Sequence, residues 1–302
     1  MVEEISWNGL KRIVNRAIGE DLMREIHTYC GDKEIKLWGQ SKDTYYMKKN
    51  LYLCIYKDMM NVGYLQLYSK IKSWYSNSHK SLAHNIKQFR KILYGWGIKQ
   101  IHHGTLSEWR NISKSVKKVK ALSSVNLWMD STDYALVGKS DKLKKDPYWS
   151  FKKNSMGRRY QAIFDAAGRV RGLWGGYSPK IIDNQWVEMN KHTLKEKFDG
   201  STIIADGHYY ASRKKVDGIT FVVPTPKTVK KQTNNADDST KLTKEQQTLN
   251  KQIRNLRARV ELPFGIIHNK FKALSKTFRD NADQLDYLVF YAFGIYNRQL
   301  NN

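Results

Sequence analysis

The chain has 302 residues, 40% hydrophobic and 12% aromatic, enough for a sizeable buried core and for two domains. Lysine and arginine number 53 against 28 acids, a formal charge of +25, which points to a polyanionic partner. No apolar run is long enough to span a bilayer and no signal-peptide pattern opens the sequence, while two cysteines, Cys30 and Cys54, lack metal-ligand spacing; a membrane, a disulfide framework and a thiolate zinc site are set aside.

Residues 1–115 read as helical. Leu10, Ile13, Val14, Ala17, Ile18, Leu22 and Ile26 keep a period near 3.6, and residues 45–75 are rich in Leu, Met, Tyr and Ile. Turn formers at residues 76–78 interrupt the pattern, and Ser81 starts a further helix. Leu82, Ile86, Phe89 and Leu93 mark its apolar side; Lys87, Arg90 and Lys91 lie elsewhere around it. A short turn before a basic amphipathic helix is the arrangement a helix-turn-helix needs, so residues 1–115 are expected to be a helical DNA-binding domain. The basic segment 116–123, with Lys117 and Lys118 as candidate phosphate contacts, is expected to link it to a catalytic domain over 124–302.

From there the texture changes. Residues 125–129 form a short β-prone run ending in Asp130-Ser131-Thr132. Residues 160–165 and 170–174, around the turn Ala166-Ala167-Gly168, read as a hairpin. Residues 184–198 have helical character. Residues 202–205 form a strand closed by Asp206, and residues 219–223 another, stopped by Pro224-Thr225-Pro226. Residues 227–250 are expected to be a polar loop. Ile253, Leu256, Val260, Phe264, Ile267, Phe271 and Leu274 then recur at steps of three and four, with Glu261 one step off that stripe and Arg254, Arg257 and His268 on its own face. Pro263 removes a helix hydrogen bond, so a kink or a new segment is expected beside Glu261. Residues 284–300 make a last amphipathic helix.

Two strands that each end in a carboxylate, and a helix that supplies a third, can bring hard oxygen ligands together. Such a set suits Mg2+ or Mn2+, and a pair of ions can activate an attacking oxygen and stabilise a leaving one. Asp130, Asp206 and Glu261 are the candidate metal ligands and catalytic residues. Arg254, Arg257 and Arg259, with Lys87, Arg90, Lys91, Lys117 and Lys118, are the candidate DNA contacts.

In these motifs the chain resembles the DDE-superfamily transposases of the Harbinger (PIF) type and the related bacterial insertion-sequence transposases. The resemblance spans about residues 124–300. It rests on Asp130-Ser131-Thr132, on Tyr160-Gln161-Ala162-Ile163-Phe164-Asp165 with the Gly168 turn, on Ala205-Asp206-Gly207-His208-Tyr209, and most specifically on Arg257-Ala258-Arg259-Val260-Glu261-Leu262-Pro263-Phe264. One departure is His208, where the family usually has Gly before the Tyr. The resemblance implies an α/β, RNase H-like catalytic domain, a mixed five-stranded sheet flanked by helices, with Asp130, Asp206 and Glu261 as the metal triad. It implies two Mg2+ or Mn2+ ions and Asp183 standing behind the ligands; His268, on the Glu261 face, is a further candidate for that place. The expected reaction is cleavage at element ends and joining of the 3′-hydroxyl to target DNA. The expected partners are double-stranded terminal repeats and target DNA, at least a second copy of the chain on that DNA, and an accessory DNA-binding protein. The expected setting is intracellular: the nucleus in a eukaryote, otherwise the cytoplasm or nucleoid. The alternatives are a domesticated transposase that binds DNA without cutting, and an RNase H-like nuclease for another nucleic acid.

Overall fold

The computed structural model describes residues 4–32, 44–114, 123–138, 144–226, 228–230 and 239–301. The candidate contacts Lys117 and Lys118 lie outside them, as does most of the expected linker.

Among the described residues six helices come first: α1 (Trp7–Ile18), α2 (Glu20–Asp32), α3 (Thr44–Met60), α4 (Tyr64–Ile71), α5 (His79–Lys99) and α6 (Leu106–Lys114). The apolar period read through residues 10–26 is two helices. Gly19, at φ 97°, turns the chain between them in a backbone region that favours glycine. The helix expected from Ser81 starts at His79, because the Ser78 side chain accepts from the Ser81 amide and caps it.

The strands are β1 (Leu127–Ala135), β2 (Trp149–Ser150), β3 (Ser155–Asp165), β4 (Val170–Tyr177), β5 (Thr202–Ile204), β6 (Thr220–Val222), β7 (Thr228–Lys230) and β8 (Ser239–Lys241). The main sheet runs β4-β3-β1-β5-β6, with the two-residue β2 also on β3, so it has six strands where five were expected. β3 is antiparallel to both β4 and β1; β5 is parallel to β1, and β6 to β5. The β3–β4 turn is held by the Asp165 carboxylate, which accepts from the amides of Ala167 and Arg169, with Gly168 at φ 83°. β7 and β8 form a separate ribbon. The remaining helices are α7 (Asp183–Met189), α8 (Lys191–Phe198), α9 (Lys244–Arg257), α10 (Glu261–Lys270), α11 (Lys272–Ser275) and α12 (Ala282–Leu300). The polar loop expected over 227–250 therefore includes β7, β8 and the first half of α9. Thr243 and Gln246 start α9 with a capping box.

Helices cover both faces of the sheet. On one face Trp109 of α6, Trp186 and Val187 of α7 and Leu194 and Phe198 of α8 pack with Leu127, Met129, Ile163 and Ile203. On the other, α1–α5, α10 and α12 share one continuous core with Trp128, Tyr134, Tyr160 and Phe164. Packing thus runs across the boundary expected at 116–123. Helix α12 lies along α5 and cannot be separated from it without baring apolar surface.

The basic face the sequence suggested for a recognition helix is smaller in α5, because Arg90 is turned inward. Leu82, Asn85, Ile86, Phe89, Arg90, Leu93, Trp96 and Gly97 of α5 are buried, while His79, Lys80, His84, Lys91, Ile98 and Lys99 are exposed. The closest approach of α5 is to α12, glycine on glycine: a Cβ added at Gly97 would stand 2.6 Å from the Phe290 carbonyl oxygen and from Tyr291 Cα, and one at Gly294 would stand 2.6 Å from Gly97 Cα. Backbone cannot yield there as a side chain could. Gly97→Ala is expected to lower stability by about 2 kcal/mol, in the usual range for overpacking; a denaturation midpoint equal to that of the parent would show that the helices can part without cost.

Candidate active site

Side chains alternate along β1. Leu127, Met129 and Ser131 face α7 and α8, while Trp128, Asp130 and Tyr134 face the α9–α10 side. Each of the latter has a partner there. The Trp128 indole N–H donates to the Leu256 carbonyl at 3.0 Å, Arg257 Nη1 donates to Asp130 Oδ2 at 3.2 Å, and the Tyr134 ring meets His268 edge-on at 5.3 Å. The chain from α9 into α10 therefore runs along one face of β1, and Glu261 lies on this stretch. The long helix expected here is broken by a 3-10 turn over Ala258–Val260, and α10 begins at Glu261 itself. Pro263 sits in the first turn of α10, where a missing amide costs least.

Asp130 is not at a strand end, as the sequence suggested, but is the fourth residue of a nine-residue strand. The parallel register of β1 with β5 pairs Leu127 with Ile203 and Trp128 with Ile204. Carried two residues further, the same register sets Asp130 beside Asp206. Asp206 follows β5 and caps the 3-10 helix Gly207–Lys214, accepting from the His208 amide at 2.8 Å. Asp130 feels its neighbour's charge. Burial pushes the Asp130 carboxyl up to about 6, against the pull of Arg257 and of the Ser131 amide, and the charge of Asp206 adds to the rise.

Glu261 is exposed, its side chain 67% accessible, and 3.8 Å from Arg257 Nη2. Arg257 thus stands between Asp130 and Glu261 with one nitrogen toward each. Among the described residues no three acids, histidines or cysteines lie close enough together to hold one ion, so the expected closed triad is not formed in this arrangement.

A family model described as DDE superfamily endonuclease matches residues 129–297, more than half of the chain. The chain belongs to this family. No curated protein and no solved structure matches it. The matched span contains all three carboxylates of this DDE endonuclease, together with Arg257 and His268. It starts beyond α1–α6, and so excludes Lys87, Arg90 and Lys91.

The other candidate residues divide by environment. Asp183 is buried, and its Oδ1 accepts from Gln161 Nε2 at 2.9 Å; Gln161 Oε1 in turn accepts from the Tyr209 hydroxyl at 2.6 Å. This chain of bonds fixes the 3-10 helix that Asp206 begins. Burial, then the charges of Asp183, Asp130 and Asp206, raise the Tyr209 phenol well above its ordinary value, so it stays a donor. Nothing local in the sequence marks Gln161 and Tyr209 as supports; the one signal is the spacing from Asp206 to Tyr209. His268 is lowered to about 4, by burial first and then by Lys153 and Lys152, so it is neutral at physiological pH. Lys152, in the β2–β3 turn, carries no sequence signal either; its charge reaches Asp130 as well as His268.

Of the expected DNA contacts, Arg254 and Arg259 are exposed and Arg257 half-buried beside Asp130. Lys91 is exposed, while Lys87 pairs with Asp280 at 3.2 Å. Arg90 cannot contact DNA. It is fully buried, with Nε donating to Asp58 Oδ2 at 2.8 Å and Nη1 to Asp280 Oδ2 at 2.7 Å. It reads as a basic surface residue in sequence only because its two carboxylate partners are far away along the chain.

Proposed function

We propose that this DDE endonuclease is a Harbinger-type DNA transposase with an RNase H-like catalytic domain, which cuts at the ends of its element and joins the 3′-hydroxyl to target DNA. The observation that carries the reading is the parallel register of β1 with β5, Trp128 beside Ile204, which carried two residues on brings Asp130 and Asp206 to neighbouring positions, with Arg257 linking Asp130 to Glu261 at the start of α10. The strand order, with an antiparallel β4-β3-β1 half and a parallel β1-β5-β6 half, supports the RNase H-like assignment.

The donor set fits a hard divalent cation. Its groups are carboxylate oxygens, and the charge of Asp206 adds to the rise of the Asp130 carboxyl, which a cation between them would relieve. Asp130, Asp206 and Glu261 would hold Mg2+ or Mn2+, two ions in the full site. When bound, the metal polarises the phosphodiester and makes a nucleophile of water or of a DNA 3′-hydroxyl.

The protein's own residues do the rest. Arg257 is drawn from Asp130 and Glu261 onto a DNA phosphate, which frees both carboxylates as substrate arrives. The 3-10 turn Ala258–Val260 is the joint that lets Glu261 move relative to Arg257. Asp183, Gln161 and Tyr209 keep Asp206 in place. Arg254, Arg259 and Lys152 hold the backbone. Both ends of an element must be held together, so the active complex contains at least two copies of the chain. An accessory DNA-binding protein is a further proposed partner, and the expected setting is the compartment that holds the DNA. Among the described residues no helix is long and apolar enough to cross a membrane.

A charge of +25 makes binding to DNA steeply dependent on salt. The expected slope of log affinity against log salt is about −0.9 for each phosphate contacted on a duplex. Fluorescence anisotropy over a salt series checks this, and a slope corresponding to only one or two phosphates contradicts an extended footprint.

A further inference from the structure

A cleft of about 960 Å3 opens beside Asp206, outside the carboxylate cluster. One wall is α9, whose Lys244, Gln247, Thr248, Lys251 and Arg254 line the cleft at steps of three and four. The opposite wall is the strap Pro224-Thr225-Pro226, joined by Leu242. Asn250 fastens strap to helix with two bonds of 2.8 Å, accepting from the Thr225 amide and donating to the Thr225 carbonyl. The walls are therefore fixed without a ligand. Gly207 forms the end nearest the active site, and a Cβ added there would meet nothing within 4 Å, so open space begins one residue from Asp206.

The lining includes Lys244, Lys251 and Arg254 and no acid. Neither lysine has an acidic partner among the described residues. From Lys244 to Arg254 the helix rises about 15 Å, enough for its three bases to follow several phosphates of one strand. The next turn of α9 brings Arg257, and with it Asp130. The volume lies within the roughly 300–1,000 Å3 of sites that enclose a small ligand, room for a few nucleotides of one strand and not for a duplex. No aromatic ring lines the cleft, so it offers no stacking platform for reading or holding a base.

We propose that this cleft binds a single strand of DNA by its backbone, independent of base sequence, on the flank of the phosphodiester presented to Asp130 and Asp206. The place of that strand in the reaction rests on the nuclease reading above; the binding itself does not. The test uses the full chain in chelator, so no cleavage is needed. Anisotropy compares a labelled duplex carrying a single-stranded tail with a blunt duplex of the same sequence. The parent is expected to prefer the tailed DNA by about tenfold, and a Lys244→Glu/Lys251→Glu double variant to bind both equally. Its salt slope on the tailed DNA is expected to be shallower by about 0.7 for each of the two lysines reversed. Lys244→Arg/Lys251→Arg is expected to keep the preference. So is Lys80→Glu/Lys195→Glu, which makes the same charge change at exposed positions away from the cleft. A parent without tail preference, a cleft reversal that keeps it, or equal loss in the distant reversal overturns the proposal. Tail preference in a chain that never cleaves DNA refutes the nuclease reading and leaves the cleft assignment standing; cleavage without tail preference does the opposite.

Discussion

Asp130→Asn is expected to abolish DNA cleavage and, in the absence of metal, to make the protein more stable at neutral pH. The loss of cleavage follows from removing a metal ligand while leaving the phosphate-binding bases in place, so DNA affinity in chelator is expected to change little. The gain in stability follows from the sign of the Asp130 shift. Its carboxyl rises from 3.8 to about 6 on folding, chiefly through burial. A group raised in this way is fully compatible with folding below the unfolded value, and costs stability as pH climbs through the folded one. About two units correspond to about 3 kcal/mol at pH 8, an upper figure for a side chain 17% exposed. Asn is neutral throughout and avoids that cost. Thermal unfolding in chelator should therefore place the variant above the parent at pH 8, with the difference vanishing near pH 4. His268 titrates with the opposite sign, but it is common to both proteins and drops out of the difference. Added Mg2+ or Mn2+ is expected to raise the parent alone, by binding linkage. A variant less stable than the parent at pH 8 would contradict this account of Asp130.

Arg90→Met is expected to be among the most destabilising single substitutions in the molecule. Arg90 joins α5 to Asp58 of α3 and to Asp280 just before α12, with Tyr64 of α4 at 3.4 Å and Gln284 at 3.3 Å. The Tyr291 hydroxyl also donates to Asp58, at 2.6 Å. Met fills similar space but leaves two carboxylates facing no guanidinium. Breaking one side of such a buried pair costs about 3–5 kcal/mol. Burial alone would raise the Asp280 carboxyl; Arg90, the Tyr64 hydroxyl and Lys57 together outweigh it and hold Asp280 below its usual range. That part of the stability is present above the unfolded value near 3.8 and is lost as pH falls, so the defect should shrink in acid. Chemical denaturation at pH 7 and at about pH 2 checks both parts. A loss under about 1 kcal/mol at pH 7, the size of an exposed pair, would show the network to be solvated.

The carboxylates are legible in the sequence because each sits at a local event: a β-prone run, a strand closed by an acid, a helix restarted beside Pro263. Their chemistry depends on residue type and local order, which the sequence carries directly. The hairpin around Gly168 is legible for the same reason, since one Asp and one Gly determine it. What the sequence hides depends on distant partners. Arg90 looks like a surface base because Asp58 and Asp280 lie 32 and 190 residues away. The basic helix looks free because α12, which covers it, is the last helix of the chain. Asp130 looks like a strand end because the apolar run stops there, while pairing with β3 carries β1 on to Ala135. Arg257 reads as a DNA contact, and only the structure shows it between two of the carboxylates.

The central claim is that Asp130, Asp206 and Glu261 form a metal-dependent nuclease site. Nicking of supercoiled plasmid tests it most directly, with the parent chain and with Asp130→Asn, Asp206→Asn and Glu261→Gln, each in Mg2+, in Mn2+ and in chelator. The expected result is nicking by the parent in either metal, none in chelator, and none by any of the three variants. Metal-dependent nicking that survives in Asp206→Asn or Glu261→Gln would contradict the assignment of these carboxylates to one centre, and a parent that binds the plasmid without nicking it in either metal would contradict the nuclease reading itself.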